Sequence, residues 1–279
     1  MKLFVDNLTN VDFSYLHPQR GLLGESWLVQ LELDGSLNEQ GMICDFGIVK
    51  KAVKDWFDEV VDHTLVVPTG MPRLSYQQAE GYTTLEWQYE DGQPFRCYSP
   101  IEAITLVELD EVNEQSLAAW WHDQLLALFP PEYVKGLSIS FQPERIDGAF
   151  YHYSHGLQQH DGNCQRIAHG HRSKIEIFMD GERDTALEAE WAEKLRDIYI
   201  GTTDHLTGQD EQLHHYAYQA PQGGFELTIP ARHCYLMDTE TTVELIACHL
   251  ADQIKAAHPD RIVKVKAFEG VGKGALAER

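Results

Sequence analysis

Positive charge is what this sequence has least of. Lysine and arginine number 22 against 44 aspartates and glutamates, for a formal net charge of −22. Such a chain repels a phosphate backbone unless basic residues cluster locally. They do not: the densest lysines, Lys264, Lys266 and Lys273, are spaced out and neighbour Glu269. No nucleic-acid partner is expected. Long apolar runs are missing too. No segment approaches the roughly 18 uninterrupted apolar residues of a membrane helix, and the first residues hold no signal-peptide core, so no membrane partner and a cytoplasmic address are expected. Cysteine is sparse. Cys44, Cys97, Cys164, Cys234 and Cys248 are odd in number, scattered and without a CxxC pair, which argues against a disulfide framework or a thiolate zinc ribbon. Most of these thiols should be small buried apolar groups.

What is present suffices for a core and for a repeat. The 279 residues with 43% hydrophobic content accommodate one large domain or two ordinary ones. Leu22 to Gly35 (LLGESWLVQLELDG) and Ala168 to Gly181 (AHGHRSKIEIFMDG) align without a gap, each a turn glycine, an alternating strand and a closing Asp-Gly. Upstream, DFSYLH (Asp12 to His17) resembles FYHYSH (Phe150 to His155). Downstream, Val112 to Lys135 and Thr241 to Pro259 read as amphipathic helices, each followed by a short strand and then by Glu144 or Glu269. The spacing predicts two units, 1–147 and 148–279. The helix after Asp45 is the clearest, with Ile48, Val49, Val53, Trp56, Phe57 and Val60 close to one face. Residues 68–100, rich in Gly, Pro, Tyr and Gln and with Asp-Gly at 91 and 92, read as a surface insertion containing a hairpin. Hairpins and helices recurring in this way give an α+β class: antiparallel sheets with helices on one face. The open edges of such sheets make a homo-oligomer the default expectation.

One short stretch carries chemistry. In His169-Gly170-His171 at the mouth of a predicted strand, side chains at i and i+2 share a face, so two imidazoles stand together with only a glycine between. His155 ends the strand predicted to pair with this one and is the best third ligand, with His152 and His160 as substitutes. Three neutral imidazoles and an open fourth position describe a catalytic zinc site; the plain alternative, in a chain with 14 histidines, is a pair of solvated imidazoles on the surface that bind nothing. Cys164, in the preceding loop beside the positive charge of Arg166 and among polar neighbours, is placed for proton abstraction. An Asp-His pair, in which the aspartate fixes the imidazole tautomer, occurs twice: Asp62 with His63, and Asp204 with His205. Alone, either reads as a polar turn.

In order, these elements resemble the 6-pyruvoyl tetrahydropterin synthase and 6-carboxytetrahydropterin synthase family: His155 in YSH, Cys164 before His169-Gly-His171, a GM-x-x-DFG-x-x-K step (Gly41, Met42, Asp45, Phe46, Gly47, Lys50), Asp62-His63 in DH-x-x-L, and a late strand followed by a glutamate. The resemblance covers most of the chain as two family-sized copies. It implies tandem tunnelling-fold units, each an antiparallel four-stranded sheet with two helices, associating with active sites between units. It also implies zinc on His155, His169 and His171, Cys164 as proton donor or acceptor, and an Asp-His pair assisting. A glutamate, Glu269 or Glu144, would anchor the pterin edge in a charge-assisted pair, with Thr242 and Glu244 resembling a Thr-x-Glu step that also reads as a helix cap. The copies depart from the pattern at different places. The first retains His17 but has Leu23, Gly24 and Glu25 in place of HGH; the second has lost the DFG step. One site per chain follows, the second unit supplying zinc ligands and Cys164, the first supplying Asp62 and His63 in preference to Asp204 and His205. The implied activity is a zinc-dependent lyase converting 7,8-dihydroneopterin triphosphate to 6-carboxytetrahydropterin, on the path to deazapurine nucleosides such as queuosine. The alternatives are 6-pyruvoyl tetrahydropterin synthase activity or a non-catalytic zinc- and pterin-binding protein. A triphosphate substrate calls for basic groups near the metal, expected from Arg166, Arg172 and Lys174.

Overall fold

Each half opens with a long hairpin whose alternation is set by one buried face. In the computed structural model, which describes residues 1–279, β1 (Lys2–His17) pairs antiparallel with β2 (Gly21–Gly35), from Lys2 opposite Asp34 to His17 opposite Gly21, with an irregularity between Val5 and Thr9. Phe13, Tyr15, Leu23, Trp27, Leu31 and Leu33 line the face covered by helices α1 (Phe46–Val60) and α2 (Glu114–Leu126). Asp45 caps α1 by accepting the N–H groups of Gly47 and Ile48. Val49, Val53 and Phe57, spaced by four, turn inward, and Ile48 faces solvent. Strands β3 (Leu65–Pro68), β4 (Leu74–Ala79), β5 (Tyr82–Gln88), β6 (Pro94–Pro100) and β7 (Ile104–Val107) follow α1, and β8 (Val134–Pro143) follows α2. The sheet runs β7-β3-β1-β2-β8. It is wider than four strands because β3 and β7 add in parallel beside β1.

The second half repeats this plan. β9 (Phe150–His155) pairs with β10 (His169–Met179), and the two-residue β11 (Glu182–Arg183) folds back on β10. There follow α3 (Thr185–Lys194), β12 (Ile198–Thr202), β13 (Leu206–Gln209), β14 (Leu213–Ala220), β15 (Gly223–Pro230), β16 (Cys234–Met237), α4 (Val243–Ala257), β17 (Val263–Phe268) and β18 (Gly274–Glu278). The sheet order is β16-β12-β9-β10-β17-β18. The lost DFG step leaves its cap behind, since Asp184 accepts the Leu187 N–H at the start of α3. On α4, Val243, Ile246, Ala247, Leu250, Ala251 and Ile254 form one buried stripe.

Residues 68–100 are not a surface insertion. β4, β5 and β6 join β13, β14 and β15 in one sheet, order β13-β14-β15-β6-β5-β4, and β15 pairs with β6 across the two halves. The alternation of Leu85, Trp87, Phe95 and Cys97 buries them with Tyr216, Phe225, Leu227 and Ile229 from the second half. At about 1.5–3 kcal/mol per fully buried large apolar side chain, this shared core holds the halves together.

The paired hairpins also cross directly. A Cβ on Gly24 would lie 1.8 Å from the carbonyl oxygen of Tyr153, and one on Gly170 would lie 2.7 Å from the Gly24 Cα. Only glycine permits that approach. Beside them the Ser14 and Ser154 hydroxyls meet at 2.7 Å. Ser14 is opposite Gly24 in the first hairpin as Ser154 is opposite Gly170 in the second, so the crossing relates the two copies. This register corrects the sequence alignment. Tyr15, opposite Leu23, occupies the place of His155, opposite His169. His17 lies two residues farther on, where its Nδ1 accepts the N–H groups of Gln19 and Arg20 and closes the tight turn.

Candidate active site

The alternation of β10 and the pairing of His155 with His169 place His155, His169 and His171 in one ring, all essentially buried. Their ring centroids are 4.4, 5.3 and 5.8 Å apart, and their ligating nitrogens lie within 4.8 Å of one another. What lies behind each ring decides which nitrogen faces inward. His155 Nδ1 donates to the Thr241 carbonyl oxygen at 2.9 Å, with Thr241 Oγ1 at 3.2 Å, and His169 Nδ1 donates to the Arg166 carbonyl oxygen at 2.8 Å. His171 Nδ1 lies 3.3 Å from Asp12 Oδ1. Nε2 is thereby left as the free electron pair on His155 and His169, while Nε2 of His155 and both ring nitrogens of His171 are buried without a hydrogen-bond partner. Orphaned buried imidazole nitrogens are costly unless something binds them. Burial, reinforced by the neighbouring imidazoles, holds His155 and His169 well below the ordinary histidine value, hence neutral. Three convergent imidazoles are the donor set of a catalytic zinc position, so the residues present fit that ion. The substitutes do not join the ring: His152 Nδ1 is engaged by the Gly24 carbonyl at 2.8 Å, and His160 is exposed.

The first half brings an Asp-His pair to this ring. After α1 the chain turns through His63 with φ +58°. This lets neighbouring side chains meet, which an extended backbone does not allow: Asp62 Oδ2 is 2.6 Å from His63 Nδ1. Both residues are held by β1. Asp12 N–H donates to Asp62 Oδ1 at 3.0 Å, and His63 N–H donates to the Asp12 carbonyl oxygen at 2.6 Å. Burial pulls His63 down, but the hydrogen bonds to Asp62 and Cys164, with their charges, outweigh it and raise the imidazole to about 10. The His63 and His169 rings are 4.9 Å apart. Cys164 sits on the short turn Gly162–Gln165, and ligating atoms of His63, Cys164 and His169 fall within 4.8 Å of one another. The thiol loop is tied to the first half by Asn163 Nδ2 donating to the Asp58 carbonyl and Arg166 Nη1 donating to the Asp62 carbonyl, each at 3.3 Å.

The remaining candidates separate. Glu269 directly follows β17, with Oε1 3.9 Å from His171 Nε2. Glu144 is not its counterpart, because the register places Pro143 opposite Trp27 and Glu144 instead meets Lys174 at 3.4 Å. Asp204 and His205 do not form a pair: Asp204 is exposed, and His205 Nε2 contacts Gln158 Oε1 at 3.1 Å and Glu240 Oε1 at 3.5 Å. The true counterpart of His63 in the second half is Asp197, which precedes β12 with φ +56° and holds Arg20 at 2.8 and 2.6 Å. Thr242 caps α4 and Glu244 is exposed on its first turn; Thr241 is the residue that touches His155. Of the expected basic groups only Arg166 lies on the site side. Strand alternation sends Arg172 and Lys174 to the other face of β10, where they meet Glu144. Lys273 takes their place, 3.3 Å from Asp12 Oδ2. Asp12, Thr241 and Lys273 were missed because no local motif marks them; Asp12 was visible only as an acidic residue on an otherwise buried strand segment.

No helix is long and apolar enough to cross a membrane. The family model described as 6-pyruvoyl tetrahydropterin synthase matches residues 9–135 and again 148–279. A putative 6-carboxy-5,6,7,8-tetrahydropterin synthase from Methanocaldococcus jannaschii is 30% identical over 112 residues, 39% of this chain and 64% of that protein. A 6-carboxy-5,6,7,8-tetrahydropterin synthase from Rickettsia bellii is 30% identical over 81 residues, 29% of this chain and 54% of that protein. The matches thus span somewhat over half the length of these relatives. The crystal structure of 6-pyruvoyl tetrahydropterin synthase from Plasmodium vivax aligns with a TM-score of 0.43 at 18% identity, covering 53% of this chain and 93% of that one. With the family model matched twice along its length, the chain belongs to the 6-pyruvoyl tetrahydropterin synthase family, as a tandem pair of its units.

Proposed function

We propose that the chain is a zinc-dependent lyase that converts 7,8-dihydroneopterin triphosphate to 6-carboxytetrahydropterin, with one site per chain assembled from both halves. The observation that carries this reading is the joining of two sets: three convergent buried imidazoles from the second half, and the Asp62–His63 pair of the first half, meeting at Cys164. His155, His169 and His171 would hold the zinc, which when bound supplies Lewis-acid polarisation of side-chain oxygens on the pterin. Cys164 and His63 face the same space and exchange protons with the substrate carbon skeleton, Asp62 holding the His63 tautomer and favouring its protonated form. Glu269 is at the rim of the metal ring and would accept the N–H groups of the aminopyrimidine edge in a charge-assisted pair. Lys273, half exposed beside Asp12, offers positive charge to a polyanionic side chain. The names of the Methanocaldococcus jannaschii and Rickettsia bellii relatives favour the 6-carboxy product over the 6-pyruvoyl one. The reading includes a unit boundary near Gly148, a cytoplasmic address and a homo-oligomer.

The test is to incubate the zinc-loaded protein with 7,8-dihydroneopterin triphosphate, follow triphosphate release and identify the pterin by mass. The expected result is 6-carboxytetrahydropterin from the wild type and none from Cys164→Ala. A wild type that binds pterin without releasing triphosphate makes the chain a binding protein instead, and a 6-pyruvoyl product would transfer it to the sister activity.

A further inference from the structure

Asp12 belongs to no motif, yet it is 2% exposed and joins the two chemical sets. Its carboxylate crosses from β1 of the first half to His171 of the second, Oδ1 to Nδ1 at 3.3 Å. That carboxylate is held from several sides: the Ser26 hydroxyl donates to Oδ1, and Asn10 Nδ2 at 3.4 Å and Lys273 Nζ at 3.3 Å reach Oδ2. Gly270 leaves room for it, since a Cβ there would lie 2.3 Å from Oδ1. The backbone of the same residue holds the Asp62–His63 pair through the two hydrogen bonds already described.

The related place in the other copy shows what the acid is for. The hairpin crossing relates Asp12 to His152 and His171 to Glu25. There the acid and the imidazole have changed places between halves, with His152 Nδ1 3.8 Å from Glu25 Oε2. Tyr15 and Leu23 replace the other two imidazoles at that place, and the acid–imidazole contact there is longer than the 3.3 Å between Asp12 and His171, where the ring of three is complete. A carboxylate behind the distal nitrogen of a metal-ligating histidine fixes its tautomer and increases its basicity.

Resting on the metal reading above, we infer that Asp12 is a positioning residue for the metal: the first half of the chain sets the orientation and donor strength of His171, so the second half does not hold its ion at full affinity alone. The test is zinc affinity by competition with a chromophoric chelator, on metal-stripped protein at neutral pH. Asp12→Asn, nearly isosteric, is expected to weaken binding by about 10–100-fold, the usual cost of losing such a carboxylate, while the near-ultraviolet circular dichroism of the metal-free protein stays as in the wild type. The visible spectrum of the cobalt-substituted variant is expected to shift, since the donor strength of one ligand has changed. Ser26→Ala, which removes a hydrogen bond to the carboxylate and the acceptor of the Arg172 N–H at 3.2 Å but leaves the carboxylate in place, should give a smaller loss of the same sign. Glu25→Gln, at the related place, should bind zinc as the wild type does. An Asp12→Asn protein that keeps wild-type zinc affinity and the wild-type cobalt spectrum overturns the inference and leaves the metal reading standing. A wild type that binds no zinc overturns both.

Discussion

Glu25 offers a quantitative check on the degenerate copy of the site. It stands where the second half has His171 but has no ring of three imidazoles beside it. Burial pushes its carboxyl up, and the Ser26 N–H and the Arg172 charge only partly offset this, so it titrates at about 7 in place of 4.5. Between those values the folded chain holds a proton that the unfolded chain has released. The unfolded state then binds fewer protons, and stability must fall as pH rises through that window and level off above it. At roughly 1.4 kcal/mol per pH unit, the full loss is about 3 kcal/mol. His152 has the opposite sign: burial, the largest cause, lowers it to about 4 from 6.5, and the stability tied to it rises with pH between those values. That contribution is common to wild type and variant and cancels in their difference. Urea unfolding of wild type and Glu25→Gln at half-unit steps from pH 4 to pH 8 measures it. The variant should gain on the wild type by about 3 kcal/mol across the window, with the gain concentrated between pH 4.5 and 7. A difference that stays level across the range would refute the claim that this carboxyl is carried into the fold uncharged.

Three further outcomes follow from geometry. His63→Ala should lower turnover by about 10²–10⁴-fold, the usual worth of a placed acid–base group, whereas Asp204→Ala should leave it near wild type; steady-state kinetics on the two variants separates the Asp-His pairs. Gly24→Ala places a methyl 1.8 Å from the Tyr153 carbonyl oxygen and should destabilise by about 3 kcal/mol or more, with the backbone unable to give way on either side, read as a lower urea midpoint. Trp87→Ala, at the sheet shared by the halves, should cost about 3–5 kcal/mol by the same measurement.

The site was most legible where local periodicity controls it. His169 and His171 share a face because strand residues alternate, and His155 meets them because YSH closes the facing strand. The Asp62–His63 pair was marked by its place after an amphipathic helix, but its direct bond required the left-handed turn at His63, which no pattern announced. Register was harder to read. The strings YLH and YSH invite His17 onto His155, whereas the first hairpin closes at once after His17 and the second is separated by the Cys164 loop; pairing therefore puts Tyr15 there. Asp12 and Lys273 reach the site from separate halves through packing across the Gly24–Gly170 crossing, which is a property of the tertiary fold. Residues 68–100 showed their hairpin but not its partner, because the strand they pair with lies about 130 residues downstream and edge pairing leaves little mark on a sequence.

The most direct test of the account is X-ray absorption at the zinc edge of the fully loaded protein. One ion per chain bound by three imidazole nitrogens at about 2.0–2.1 Å is the result predicted here, and an empty chain or a shell with fewer than three imidazoles would contradict it.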